Sequence, residues 1–335
     1  MTLEFIVYTT IIVALAFDFI NGFHDAANSV ATIVSTRVLR PSWAVFWAAF
    51  FNFIAFLFFD LKVATTLGKG IIDPAAVDVW LVFSALTGAI VWNIITWYFG
   101  LPSSSSHALI GGLAGAGAMK AGLGVINVGG MTKILLSIIG SPLLGLFLGS
   151  FLMRFIILLV RSQSPRKIDR VFRKMQYFSA AMYSLGHGGN DAQKTMGIIT
   201  VVLLSSGMIS SEGFQVPLWV VLSCQFAMGL GTIFGGWRIV KTMGMKLTHL
   251  KPVGGFCAET SGALTLFLAT SLGIPVSTTH TITGSIVGVG SVVSSKGVRW
   301  SVAGNIIWAW VLTIPLSALM AAIAFKLTTY ISLVP

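Results

Sequence analysis

INGFHDAANSVATIV, residues 20–34, lies inside the first long hydrophobic segment, yet it sets Asn21, His24, Asp25 and Asn28 among apolar neighbours. Halfway along the chain, LGHGGNDAQKTMGIIT (185–200) repeats the pattern. Gly22, Asp25 and Ala26 match Gly188, Asp191 and Ala192 at an offset of 166. A second phrase recurs in the same order. GLPSSSSHALIGG (100–112) and GIPVSTTHTITGS (273–285) align Pro102, Ser104, His107, Gly111, Gly115 and Gly117 with Pro275, Ser277, His280, Gly284, Gly288 and Gly290 at an offset of 173. Two motifs repeated in one order mark an internal duplication.

Of the 335 residues, 56% are hydrophobic and 9% charged, against about a quarter charged in soluble domains. So few charges cannot cover a soluble protein of this size. The composition is that of an all-α polytopic membrane protein, since only helices and closed barrels satisfy their backbone in lipid. A barrel would show alternating segments of about ten residues, whereas the apolar runs here are long and continuous. In such a chain the net charge of +11 reports cytoplasmic loops rather than nucleic acid. Cys224 and Cys257 both fall in apolar segments, so no disulfide framework is expected. The N-terminus lacks a basic leader and a cleavage site, which makes residues 5–20 a retained span.

Ten apolar runs occur, near 5–36, 43–61, 79–99, 107–119, 131–160, 175–207, 216–237, 252–272, 280–294 and 300–330. The two that contain the polar phrases, 5–36 and 175–207, would each measure about 48 Å as one helix, against about 30 Å of hydrocarbon. A break at the polar motif is expected in each. The short Gly-rich runs 107–119 and 280–294 are expected to span in pieces with their flanking residues. With every run crossing once and the N-terminus outside, 14 of the 21 basic residues lie inside and five outside, which orients the chain. Five crossings per half is an odd number, so the halves sit upside down relative to one another. Residues 1–160 and 177–335 then form two inverted-topology repeats of five, with both termini outside, as in many secondary transporters. The linker 161–176 is basic and cytoplasmic. Ser164-Pro165 suits a helix start, and Ile168, Val171, Phe172 and Met175 form an apolar stripe, predicting a short helix on the membrane surface.

A charge at the bilayer centre costs at least about 2.5–3.5 kcal/mol on insertion scales, yet Asp18, Asp25, Asp191 and Glu259 all fall inside apolar runs. Asp18, Asn21, Asp25 and Asn28 share one helical face by their spacing, as do His187, Asn190, Asp191 and Lys194. A polar cluster that merely joins helices is the plainer reading. The second motif adds Pro and a hydroxyl run directly before a short helix. Free N–H groups at a helix start, joined by the hydroxyls of Ser104, Ser105, Ser106, Ser277, Thr278 and Thr279, make a site for an oxyanion. Two such starts from opposed halves can face each other near the midplane; ordinary helix caps are the alternative. Ser, His and Asp together also suggest a hydrolase, but a duplicated set in opposed halves does not fit one nucleophile and one base.

These residues resemble the inorganic phosphate transporter (Pit) family over essentially the whole chain. Its repeated Asp motif stands here as NGFHDAAN and HGGNDAQK, its Pro-x-Ser-x-x-His pair as PSSSSH and PVSTTH, and GGFCAETSGALTLFLA is similar to its second half. The resemblance implies symport of orthophosphate with a cation at a site between the halves, in a multi-pass protein of the plasma membrane (the inner membrane of a bacterium), and no enzyme activity. The sodium-coupled branch has Asn where Lys194 stands and Glu where Asn52 stands. Both departures resemble the bacterial proton-coupled branch, which favours protons over sodium and adds a neutral metal–phosphate complex as an alternative substrate.

The site residues follow. Ser104, Ser105, Ser106, Ser277, Thr278, Thr279 and Lys194 are expected to bind phosphate. Asp25, Asn28, Asn190, Asp191 and Glu259 are expected to serve the coupling ion or proton, with Asn21, His24, His107, His187, Gln193 and His280 in support. No cofactor and no resident metal is assigned. Phosphate can give a proton near neutral pH and sulfate cannot, which favours phosphate at a site with carboxylate acceptors. Sodium coupling, sulfate transport, and a passive channel or membrane scaffold remain the rivals. Phosphate and the lipid bilayer are the expected partners, and the aromatic run FWAAFFNFIAFLFF (46–59) suits either lipid or a homodimer contact.

Overall fold

The polar phrases do not break their helices. In the computed structural model, which describes residues 2–210 and 214–330, α1 (Leu3–Ser35) runs unbroken for 33 residues through Asn21 and Asp25. The helix α7 (Pro165–Ser205) runs for 41 through the Gly-Gly-Asn-Asp motif. The expected break in each long segment is therefore corrected. The polar side chains find partners on other helices, so no backbone hydrogen bond needs to open. At about 50 Å and 60 Å, both helices reach beyond the hydrocarbon. The separate surface helix is corrected as well, because residues 165–176 are the first turns of α7. Three of their four stripe residues, Ile168, Phe172 and Met175, still dock inward, with the Phe172 ring 5.4 Å from that of Phe256, while Val171 is exposed.

The remaining elements are α2 (Pro41–Ile54), α3 (Lys62–Gly70), α4 (Val79–Phe99), α5 (Ser105–Ala121), α6 (Val128–Val160), α8 (Leu218–Phe234), α9 (Trp237–Lys241), α10 (Pro252–Ser271), α11 (Thr278–Ser294) and α12 (Trp300–Tyr330). The described residues form no sheet; Ile72 and Ile126 pair in a single antiparallel bridge. By length and hydropathy, α1, α4, α6 and α12 are each able to cross a membrane. Two bent pairs raise the number to six: α2 with α3, turned by 83°, and α8 with the segment through Lys246, turned by 60°.

Cross-helix bonds show that α1 and α7 run antiparallel. Asp18 meets Thr195, Ser29 meets His187, and Thr36 meets Gln176, so the number rises on one helix as it falls on the other. The halves also exchange elements. The short helix α5 packs on α12 of the second half, and α11 packs on α6 of the first. Two repeated features build these seats. Pro142 lies inside α6 and Pro315 inside α12, again at an offset of 173. A side chain at Gly115 would overlap the carbonyl of Ala318, and one at Gly288 that of Leu146. Small residues let helix backbones meet at this distance.

The core falls into two apolar clusters. One takes Ile6–Phe17 of α1 and Ala192–Leu203 of α7; the other takes Ala27–Ile33 and Phe172–Tyr183. The polar stretches 18–25 and 184–191 lie between them. The fold thus holds a polar layer between two apolar ones.

Candidate functional site

Two helix starts meet in that polar layer. Ser104 caps α5 by accepting from His107 N at 3.2 Å, and Ser277 caps α11 by accepting from His280 N at the same distance. The preceding residues are extended and Pro102 and Pro275 keep them so, leaving the first turns of α5 and α11 with N–H groups that no earlier turn accepts. The rings of His107 and His280 pack edge to face at 4.6 Å, which brings the two starts together.

The hydroxyls after each cap turn toward the acids of α1 and α7. Ser105 Oγ lies 2.7 Å from Asp25 Oδ2 and 2.6 Å from Asn21 Oδ1. Thr278 donates to Asp191 Oδ2 at 2.8 Å, and Thr279 Oγ1 lies 3.5 Å from Asp25 Oδ1. Asn28 Nδ2 donates to both threonines, at 3.2 and 2.9 Å. Lys194 is buried beside them. Its ammonium uses all three of its donors, on Asp191 Oδ1, Ser106 Oγ and the carbonyl of Val276, the last at 2.7 Å. Around this centre stand His24, 2.7 Å from Asp25 and 3.0 Å from Thr96 Oγ1, and His187, 3.2 Å from both Asp191 Oδ2 and Ser29 Oγ. Asp25, His187 and Asp191 bring ligand atoms within 4.8 Å of one another, a set able to coordinate a cation.

The other expected residues sit apart. Ser104 and Ser277 spend their hydroxyls on the caps. Asn190 pins the stretch before α11 through Thr270 Oγ1 and the carbonyl of Ile274, at 3.0 and 3.3 Å. Gln193 accepts from Val63 N and Ala64 N at the start of α3. Glu259 belongs to a second polar cluster, accepting from Thr32 at 2.6 Å, from Gln176 at 2.9 Å and from Ser179. Sequence reasoning missed Thr96, Gln176, Ser179, Tyr183 and Thr195, and Ser103, whose hydroxyl donates to Thr96 Oγ1 at 2.9 Å. Tyr183 donates to the carbonyl of Thr278 at 2.9 Å, at the start of α11. The signal was present on α7, where Gln176, Ser179, Tyr183, His187, Asn190 and Lys194 follow one another at three or four residues.

An apolar helical protein that buries hydroxyls, carboxylates and one ammonium where two helix starts meet has the build of a membrane transporter for a small oxyanion. Comparison with known proteins narrows the class. The sequence pattern of the phosphate transporter family matches residues 21–321. A protein of Rhizobium meliloti (strain 1021) described as a probable low-affinity inorganic phosphate transporter is 62% identical over 94% of each chain. One of Bacillus subtilis (strain 168) with the same description is 46% identical, over 94% of this chain and 95% of that protein. A solved structure, "The sodium-dependent phosphate transporter", superposes with a TM-score of 0.88 at 26% identity, over 97% of this chain and 99% of the other. The chain belongs to the phosphate transporter family. It is a membrane transporter and not an enzyme.

Proposed function

We propose that the protein imports inorganic phosphate as a secondary active symporter, of low affinity like its named relatives, with protons as the coupling ion. The anion sits between Ser105, Ser106, Thr278 and Thr279, facing Lys194 and the N-termini of α5 and α11. The observation that carries this reading is Lys194. Positive charge that a bound cation would otherwise bring is fixed in the chain, one helical turn after Asp191 and in contact with Ser106. The hydroxyls that now donate to Asp25 and Asp191 can turn to an incoming anion. The buried carboxylates of this polar layer then supply the acceptor for the coupling proton as the site opens to either side.

The same proposal takes α1, α2 with α3, α4, α5, α6, α7, α8 with α9, α10, α11 and α12 as ten crossings, in inverted repeats 1–160 and 177–335 joined by 161–176. Support comes from the antiparallel pairing of α1 with α7 and from the reciprocal seating of α5 and α11. The charge count places both termini outside the plasma membrane and the linker in the cytoplasm. Trp43, Phe46 and Phe50 are exposed, a face suited to lipid or to a second copy of the chain.

A second reading, sodium coupling, is favoured by the Asp25–His187–Asp191 set and by the name of the solved relative. The same set suits the metal of a metal–phosphate complex. Purified protein in liposomes separates these readings. An inward proton gradient is expected to drive accumulation of labelled phosphate in sodium-free buffer. Uptake that needs sodium and ignores the proton gradient would favour the second reading; preferential uptake of sulfate would refute phosphate. A channel could equilibrate phosphate but not concentrate it.

A further inference from the structure

Asp18, like Glu259, is a buried acid outside the phosphate centre. It lies on α1 two turns before Asp25, about 10 Å along the axis, in the half of the helix that the charge count places toward the outside. The residue is fully enclosed. Thr195 Oγ1 donates to Oδ1 at 3.0 Å, whereas Oδ2 has no hydrogen-bond partner. Among the described residues, every other buried carboxylate has a hydrogen-bond partner on each oxygen: Asp25 from His24 and Ser105, Asp191 from Lys194 and Thr278, Glu259 from three donors. No ion pair involving Asp18 occurs among the described residues.

Its surroundings, among the described residues, supply no free cation. The side chain of Asn21 on its own helix and the thiol of Cys224 from α8 are turned to the carboxyl group as weaker donors beside Thr195, and Asp191 from α7 is the charged group near it. Lys194 precedes Thr195 on α7, but its donors are all spent elsewhere. The segments 79–99 of α4 and 41–54 of α2 contain no acidic or basic residue that could face it. A hard metal ion needs several oxygen ligands. One free carboxylate oxygen, one amide and a thiol do not supply them. A proton needs only Oδ2.

Two short paths connect Asp18 with the centre. Asn21 beside it lies 2.6 Å from Ser105 Oγ, which lies 2.7 Å from Asp25. Thr195, its donor, is the chain neighbour of Lys194. The acid is also absent from the repeat, since Ser184 stands at the matching position of the second half and its hydroxyl returns to its own helix. The hydroxyl motif is thus doubled, whereas this carboxyl occurs in one half alone.

We propose that Asp18 Oδ2 is the site that binds the coupling proton. A proton from the external water converts the carboxylate to the neutral acid as phosphate loads, and the same proton leaves to the cytoplasmic water when the site opens inward. This assignment rests on the proton-symport reading above. The test uses purified full-length protein in liposomes, with labelled phosphate, in two assays. One is accumulation under an inward proton gradient; the other is exchange of internal for external phosphate at equal pH, which requires no net proton movement. Asp18→Asn is expected to retain exchange and to lose gradient-driven accumulation. It should also lose a protonated-carboxyl C=O band in infrared difference spectra.

Thr195→Val, a near-isosteric change that withdraws a bond favouring the charged form, should shift the pH of half-maximal drive upward. This arm does not depend on Asp18→Asn folding. If Asp18→Asn accumulates phosphate under the gradient as the parent does, the assignment to Asp18 is overturned while proton symport stands. A Thr195→Val profile that superposes on the parent's overturns it as well. If the parent itself ignores the proton gradient, the symport reading fails and takes this one with it.

Discussion

At the residue scale the chemistry turns on Lys194 and the acid it holds. Both are buried, and removing one member of such a pair leaves the other charged and unpaired, at a cost of about 3–5 kcal/mol. Lys194→Met should therefore lower the melting temperature of the detergent-solubilised protein, and adding Asp191→Asn should recover most of the loss. An unchanged melting curve for Lys194→Met would argue against the pairing. The hydroxyls divide by role. Ser105→Ala and Thr278→Ala each remove a bond to a charged group, about 1.5 kcal/mol or roughly tenfold in phosphate affinity. Ser104→Ala and Ser277→Ala remove caps instead, about 1 kcal/mol of stability each, with a smaller effect on binding. Equilibrium phosphate binding and thermal unfolding, measured on all four, would expose any error in this division. The run Ser104–Ser105–Ser106 was legible as a cluster of hydroxyls at a helix start, but not which of them caps the helix and which turn to Asp25 or Lys194. Spacing places a residue on a helix face, whereas the hydroxyl's direction depends on Asp25 and Asp191 from other helices.

At the element scale, the sequence repeat was plain, but the breaks expected at its polar motifs do not occur. Polar residues inside an apolar run predict an interruption only when the backbone must supply their partners. Here Thr278, Thr279, Ser105 and Thr195 arrive from elsewhere, so α1 and α7 stay whole. The stretches ahead of α5 and α11 are each held by a donor on a partner helix. Trp310 Nε1 donates to the carbonyl of Pro102 at 3.0 Å, and Ser137 Oγ to that of Pro275 at 3.2 Å. Trp310 and Ser137 are themselves related by the offset of 173. The bulky latch also stacks on His280 at 3.7 Å, whereas a cavity of about 790 Å³, lined in part by Asn127, Lys133, Ser137 and Pro275, adjoins the small one. Trp310→Phe keeps the ring and removes the donor. It should loosen the Pro102 side, seen as faster hydrogen exchange across 100–106 with little change over 273–279. Gly288→Val should do more damage, because the side chain has no room against Leu146, and a sharp fall in folded yield is the expected readout.

At the scale of the whole molecule, the proposed orientation can be tested with two cysteines. Ser162, before α7, and Leu123, after α5, are both exposed, while the native Cys224 and Cys257 are free and buried. An impermeant thiol reagent should label Ser162→Cys from the cytoplasm only and Leu123→Cys from outside only; labelling of both from one side would sink the proposed topology. The apolar runs and the basic bias carried this much in the sequence. The exchange of helices between halves did not show there, because a repeat reveals which segments correspond and not which ones touch. That exchange has a consequence in time. The seat of α5 is on α12, so a chain made from its N-terminus forms α5 some 180 residues before its partner exists. At 5–20 residues per second, the wait is roughly 10–40 s. Through that interval the glycine face of α5 lies open in the lipid, where a chaperone can guard it and a membrane protease can find it. A chain stopped at residue 299 should thus be inserted and then degraded, and supplying residues 300–335 as a separate polypeptide should rescue it.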